Sequence, residues 1–117
     1  MSSIKLLTTC IVLASLLLGS CAQPLETKKL APGSRYVSLG SSFAAGAGIG
    51  PIRPGTPERC GRTTNNYPSL LAQRLELALD DQSCGGAQTK HVLGPWDEVP
   101  AQIEAVTPDT RLVTITI

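Results

Sequence analysis

The run Tyr36-Val-Ser-Leu-Gly-Ser-Ser-Phe-Ala-Ala-Gly46 constrains the fold more than any other stretch of this sequence. Tyr36 to Leu39 reads as a short apolar strand, Gly40 breaks it, and Phe43-Ala-Ala45 continue as a helix. A strand that stops at glycine and turns directly into a helix leaves the intervening side chains at the C-terminal edge of a sheet. Open α/β sheets carry their ligands at that edge. A serine there exposes its hydroxyl, and the N–H groups of the new helix's first turn have no intrahelical partner. Such donors suit an oxyanion. Serine in a Gly-Ser-Ser turn also serves as a plain N-cap or turn residue, and spacing alone leaves both roles open.

Other glycine motifs fit less well. Gly40-Ser-Ser-Phe-Ala44 lacks the second glycine of the Gly-x-Ser-x-Gly elbow. A Walker A loop needs a Gly-Lys-Ser/Thr that does not follow. Gly46-Ala-Gly48-Ile-Gly50-Pro51 has the wrong final spacing for a dinucleotide fingerprint, with a proline where its helix should run.

With its neighbours, the stretch resembles the first block of the SGNH (GDSL-type) esterase and lipase family, typically a strand, Gly-Asp-Ser, an aromatic or leucine, and often Ala-Ala-Gly. Here it reads Gly40-Ser41-Ser42-Phe43-Ala44-Ala45-Gly46, with Ser41 where the family more often has Asp. That Asp is not the family's triad acid. The resemblance makes Ser42 the nucleophile. Asn65-Asn66-Tyr67-Pro68 with Leu71-Ala72 matches the segment after block one. Ser83-Cys84-Gly85-Gly86-Ala87 resembles the Ser-Cys-x-Gly-Ala block of secreted actinobacterial-type members. That match implies an oxyanion hole formed by the N–H groups of Ser42 and Gly86. It also implies a bridge between a loop cysteine and the cysteine of this block. The likeness covers roughly Arg35 to Ile117, the N-terminal part of a family domain. The family's strand then runs into Gly-Gly-Asn-Asp, and its histidine lies in a later Asp-x-x-His. The third-block Asn, the triad Asp and the triad His have no counterpart here. The implied fold is α/β, a three-layer flavodoxin-like parallel sheet, incomplete at its C-terminus. No cofactor and no metal is implied.

The first residues read as a targeting segment. Lys5 precedes the apolar stretch Leu6 to Leu18, which is too short to span a bilayer comfortably and fits a signal-peptide core. Leu18-Gly-Ser-Cys21 resembles a bacterial lipobox, which implies lipidation at Cys21; an ordinary signal cleaved near Ala22 is the alternative. Acyl chains there would anchor the protein to a membrane, at about 0.8 kcal/mol per buried methylene. The expected organisation is a signal peptide over 1–20, a tether over 21–34, and the partial hydrolase domain over 35–117. Export brings an oxidising compartment, so the remaining pair outside the leader, Cys60 and Cys84, is expected to form a disulfide. Charge is nearly balanced, with formal net charge +1, and aromatics are few. A nucleic-acid partner therefore has no support.

In chain order, Gly48 to Thr64 reads as a loop carrying Arg53, Arg59 and Arg62, whose charges are expected to be solvated. Asn66 caps a helix with Pro68 in its first turn, and the apolar spacing of Leu71, Leu75, Ala78 and Leu79 carries it to Asp80-Asp81, a solvated stop. His91, the only histidine, reads as a surface residue rather than a triad base, and with Cys84 makes a poor metal set. Trp96 to Pro100 is a loop. Pro100 to Val106 is a short helix with Gln102 and Glu104 outward, and Leu112 to Ile117 is a buried β-branched strand pairing in parallel with residues 35–39. The reading is an exported serine ester hydrolase acting on a small-molecule or lipid acyl ester through an acyl-enzyme, impaired as a truncated chain. A non-catalytic, lipid-anchored binding lipoprotein is the competing class. The sequence does not indicate an oligomeric state.

Overall fold

The computed structural model describes residues 29–117. The expected signal peptide, Cys21 and most of the expected tether lie outside the described residues. Three parallel strands form one sheet in the order β2-β1-β3. They are β1 (Arg35–Gly40), β2 (Ala78–Asp81) and β3 (Thr110–Thr116). Among the described residues there are three α-helices: α1 (Ser42–Ala45), α2 (Tyr67–Leu75) and α3 (Thr89–Leu93). Two 3-10 turns, Glu58–Cys60 and Gln102–Ala105, complete the order. The chain is α/β as the elbow suggested, and β1 pairs with β3 in parallel as expected.

β1 lies at the centre because its side chains suit burial on both faces. On one face Val37 and Leu39 pack with Val92 of α3 and with Ala105 and Val106. On the other, the Tyr36 hydroxyl meets Thr114 Oγ1 at 2.8 Å, and the Tyr67 hydroxyl reaches Thr114 and Thr116 at 3.2 and 2.9 Å. Helical elements thus cover both faces, one side apolar and the other hydrogen-bonded. Asn66 caps α2 as expected, accepting from the Ser69 N–H at 3.0 Å, with proline in the first turn.

Three expectations fail. The helix over 66–81 stops at Leu75, with Glu76 left-handed at φ 55°, and residues 78–81 form β2 instead. Asp80 and Asp81 therefore sit in a strand. Asp80 ion-pairs with Arg35 at 2.7 Å, and Asp81 is buried. Gln102 is turned inward and 2% exposed, because its amide pairs with the backbone of Gly40. The strand at the C-terminal end is an edge strand rather than a buried one, with alternate residues exposed. Val113 and Ile115 lie in register with Val37 and Leu39 yet remain 42% and 57% exposed, since the cover over β1 does not reach them.

Cys60 and Cys84 form a disulfide with Cα atoms 4.0 Å apart. It packs in a small cluster with Ala87, Val99 and Trp96. The bridge ties the long loop to the end of β2.

Candidate active site

The site forms where β1 ends. Gly40 has φ +143°, and a Cβ there would stand 2.2 Å from the Thr116 carbonyl oxygen. Only glycine lets the chain turn this close to β3. The Ser41 N–H then donates to that same carbonyl at 2.8 Å, and α1 begins at Ser42. Ser42 and Phe43 are exposed, while Ala44 and Ala45 are buried beneath them. α1 ends after one turn at Gly46, in the left-handed region with φ 68°. Its first-turn N–H groups have no intrahelical acceptor. An open groove lined by Ser42, Phe43, Gly46, Ala47 and Ile49 runs alongside.

The glycine block is joined to the same edge by the backbone. The N–H of Gln82 donates to the Ser38 carbonyl at 2.8 Å, and that of Cys84 to the Gly40 carbonyl at 3.0 Å. The ladder from β1 thus runs past β2 into the loop. Gly85 N–H donates to the Cys60 carbonyl at 2.8 Å, on the far side of the disulfide. Gly86 follows, exposed, with φ +83°. Both Ser42 and Gly86 therefore lie two residues beyond groups that hydrogen-bond each other, Gly40 and Cys84.

Gly86 rests over Trp96, whose ring would lie 3.3 Å from a Cβ at that position. The Arg59 guanidinium stands 4.0 Å from the Trp96 ring centroid. The His91 ring stacks on the same indole, centroids 4.3 Å apart and planes 12° from parallel. The indole contacts both a guanidinium and an imidazole. His91 is thus half-buried rather than a free surface residue. Its Nδ1 accepts the Gln88 N–H at 3.1 Å. No side chain hydrogen-bonds the Ser42 hydroxyl among the described residues, His91 included.

The polar groups behind the site were read from the sequence only as caps or solvated charges. Arg62 is 6% exposed and its Nε–H donates to the Ser83 carbonyl. Burial pushes its guanidinium below the ordinary arginine range, and the negative charges of Asp81 and Asp80 work against that. Arg59 ion-pairs with Asp97 and Glu98 at 3.0 and 3.3 Å. The Arg53 guanidinium donates to Ser69 Oγ. Arg62 and Arg53 hold the loop from within, whereas Arg59 stays exposed at the surface as expected. Alternation along a loop gives no signal for such burial, and only the cap signature at Asn66 was visible.

No protein-family model matches the sequence. Over 83 residues the chain is 40% identical to Lipase 2 of Streptomyces coelicolor, spanning 70% of this chain and 28% of that protein. Among solved structures it is similar to phospholipase A1 from Streptomyces albidoflavus. That likeness has a TM-score of 0.61 and 36% identity, covering 74% of this chain and 34% of the other. It is likewise similar to the extracellular lipase of Streptomyces rimosus, with a TM-score of 0.62 and 34% identity, covering 73% and 34%. The chain thus spans about a third of the length of the relatives it matches. Its homologues are Streptomyces lipases and a phospholipase A1, and its incomplete α/β sheet is the part it shares with the solved ones.

Proposed function

We propose that this chain carries the nucleophile half of an exported SGNH-type ester hydrolase acting on lipid acyl esters. Ser42 Oγ attacks the acyl carbonyl. The carbonyl oxygen, now negative, is held by the N–H groups of Ser42 and Gly86. It re-forms the carbonyl as the alcohol leaves with the proton given up by Ser42 Oγ, and water then hydrolyses the acyl-Ser42 ester to release the acid and restore the hydroxyl. One such donor contributes about 3 kcal/mol to lowering the barrier. The observation that carries the reading is the Cys84 N–H to Gly40 carbonyl bond, which sets the glycine loop beside the serine elbow. The named activities of the relatives supply the lipid ester as substrate class. Export through the N-terminal leader and anchoring through Cys21 belong to the same proposal. No base reaches Ser42 among the described residues, so the 117-residue chain by itself acylates orders of magnitude more slowly than a complete triad would.

The test is a fluorophosphonate probe on the exported chain, with intact mass read for wild type and Ser42→Ala. A mass increment in wild type that is absent from Ser42→Ala supports the nucleophile. A wild-type chain shown folded by circular dichroism that gains no mass after prolonged exposure overturns it.

A further inference from the structure

α1 has a single turn, too short to hold itself in place, so something else must fix Ser42 relative to Gly86. Its two C-terminal carbonyls are captured from below. Ala45 O accepts the Thr63 N–H at 2.9 Å and Asn66 Nδ2 at 3.3 Å, and Gly46 O accepts Thr63 Oγ1 at 3.1 Å. Asn66 donates at the same time to Asp81 Oδ2 at 2.7 Å. The other carboxylate oxygen, Oδ1, accepts the Ser83 N–H at 3.1 Å and the Ser83 hydroxyl at 2.6 Å. Ser83 is the residue before Cys84, whose N–H binds Gly40. Asn66, Thr63 and Ser83 are wholly buried, and Asp81 is 7% exposed.

One carboxylate therefore joins both halves of the site, reaching α1 through Asn66 and the glycine loop through Ser83. It receives three donor hydrogens and offers none. A carboxylate suits that demand because it is acceptor-only, whereas an amide would turn an N–H₂ toward a donor. Charge-assisted bonds in a buried setting are also the stiffest available to a side chain. Arg62, buried in the same layer and bonded to the Ser83 carbonyl, supplies the neighbouring positive charge.

We propose that Asp81 is a positioning residue that sets the spacing between Ser42 and Gly86 through Asn66 and Ser83. The proposal rests on the reading of Ser42 as nucleophile and Gly86 as oxyanion donor. Asp81→Asn keeps the shape and sets an amide against Asn66 or Ser83, so the elbow and the loop move apart while the sheet stays.

The experiment compares wild type, Asp81→Asn and Ser83→Ala, the last removing only the hydroxyl bond in case the first folds poorly. Amide hydrogen exchange is read at Thr63 and Cys84, whose N–H groups bind Ala45 and Gly40, and at Val37 and Leu39 in the ladder. The expected result is about a tenfold loss of protection at Thr63 and Cys84 with Val37 and Leu39 unchanged, and shifted amide resonances at Ser42 and Gly86. Fluorophosphonate labelling of Ser42 should show kinact down by about tenfold or more with KI nearly constant, the pattern of lost orientation rather than lost binding. Unchanged Thr63 and Cys84 amides, or equal loosening at Val37 and Leu39, overturn the proposal. A kinact in the variants equal to that of wild type overturns it as well. A wild-type chain that does not label overturns the Ser42 reading instead, and the exchange pattern then decides the positioning by itself.

Discussion

Tyr36 is fully buried beneath the sheet, and burial raises its phenol above the ordinary tyrosine range, partly offset by its bond to Thr114. In the unfolded chain the same group ionises near about pH 10. Above that pH the unfolded state releases a proton that the folded state keeps. Stability is therefore complete below about pH 10 and falls as pH rises through the folded value. Urea titrations at rising alkaline pH should show this decline, and it should be shallower in Tyr36→Phe. Gly40 makes a second residue-scale prediction. Its φ of +143° and the 2.2 Å approach to Thr116 leave no room for a methyl group. Gly40→Ala should cost at least about 3 kcal/mol in urea denaturation, from backbone strain and overpacking together. Some of these residues were legible in the sequence and some were not. Gly40 and Ser42 could be read because a strand breaker followed by helix formers is a local signal. Gln102 could not, because nothing near it in sequence says that its amide will stand in for a neighbouring strand at Gly40.

At the scale of elements, β1 and the elbow follow from local pattern, whereas β2 does not. Leu71, Leu75, Ala78 and Leu79 keep helical spacing, and Ala-Leu-Asp-Asp has little strand propensity. Long-range bonds decide the matter: Arg35 to Asp80 and Asn66 to Asp81 hold the segment extended beside β1. The disulfide is the element-scale staple, closing a loop between positions 24 apart in sequence. Constraining that loop in the unfolded chain is worth roughly 3 kcal/mol. The Cys60→Ala/Cys84→Ala double variant should lose about that much by denaturant titration, with the Gly85 amide, which binds the Cys60 carbonyl, losing protection early.

For the whole molecule, the sheet is lopsided. β1 is buried between its neighbours and β2 is a short, largely polar edge strand, while β3 has no partner on its outer edge among the described residues and leaves Val113, Ile115 and Ile117 exposed. Exposed apolar edges associate. Light scattering should show concentration-dependent association of the chain, and Ile115→Lys should suppress it without changing the far-ultraviolet circular dichroism. The glycine loop offers a different consequence. The sequence has one tryptophan, and its indole contacts Arg59 and His91, packs against the disulfide and meets Gly86 with its six-membered ring. A disulfide quenches indole emission on contact. The native chain is therefore dim, and any event that lifts the glycine loop off its floor brightens it. Events at Gly86, the proposed oxyanion donor, become visible as light, with no label added.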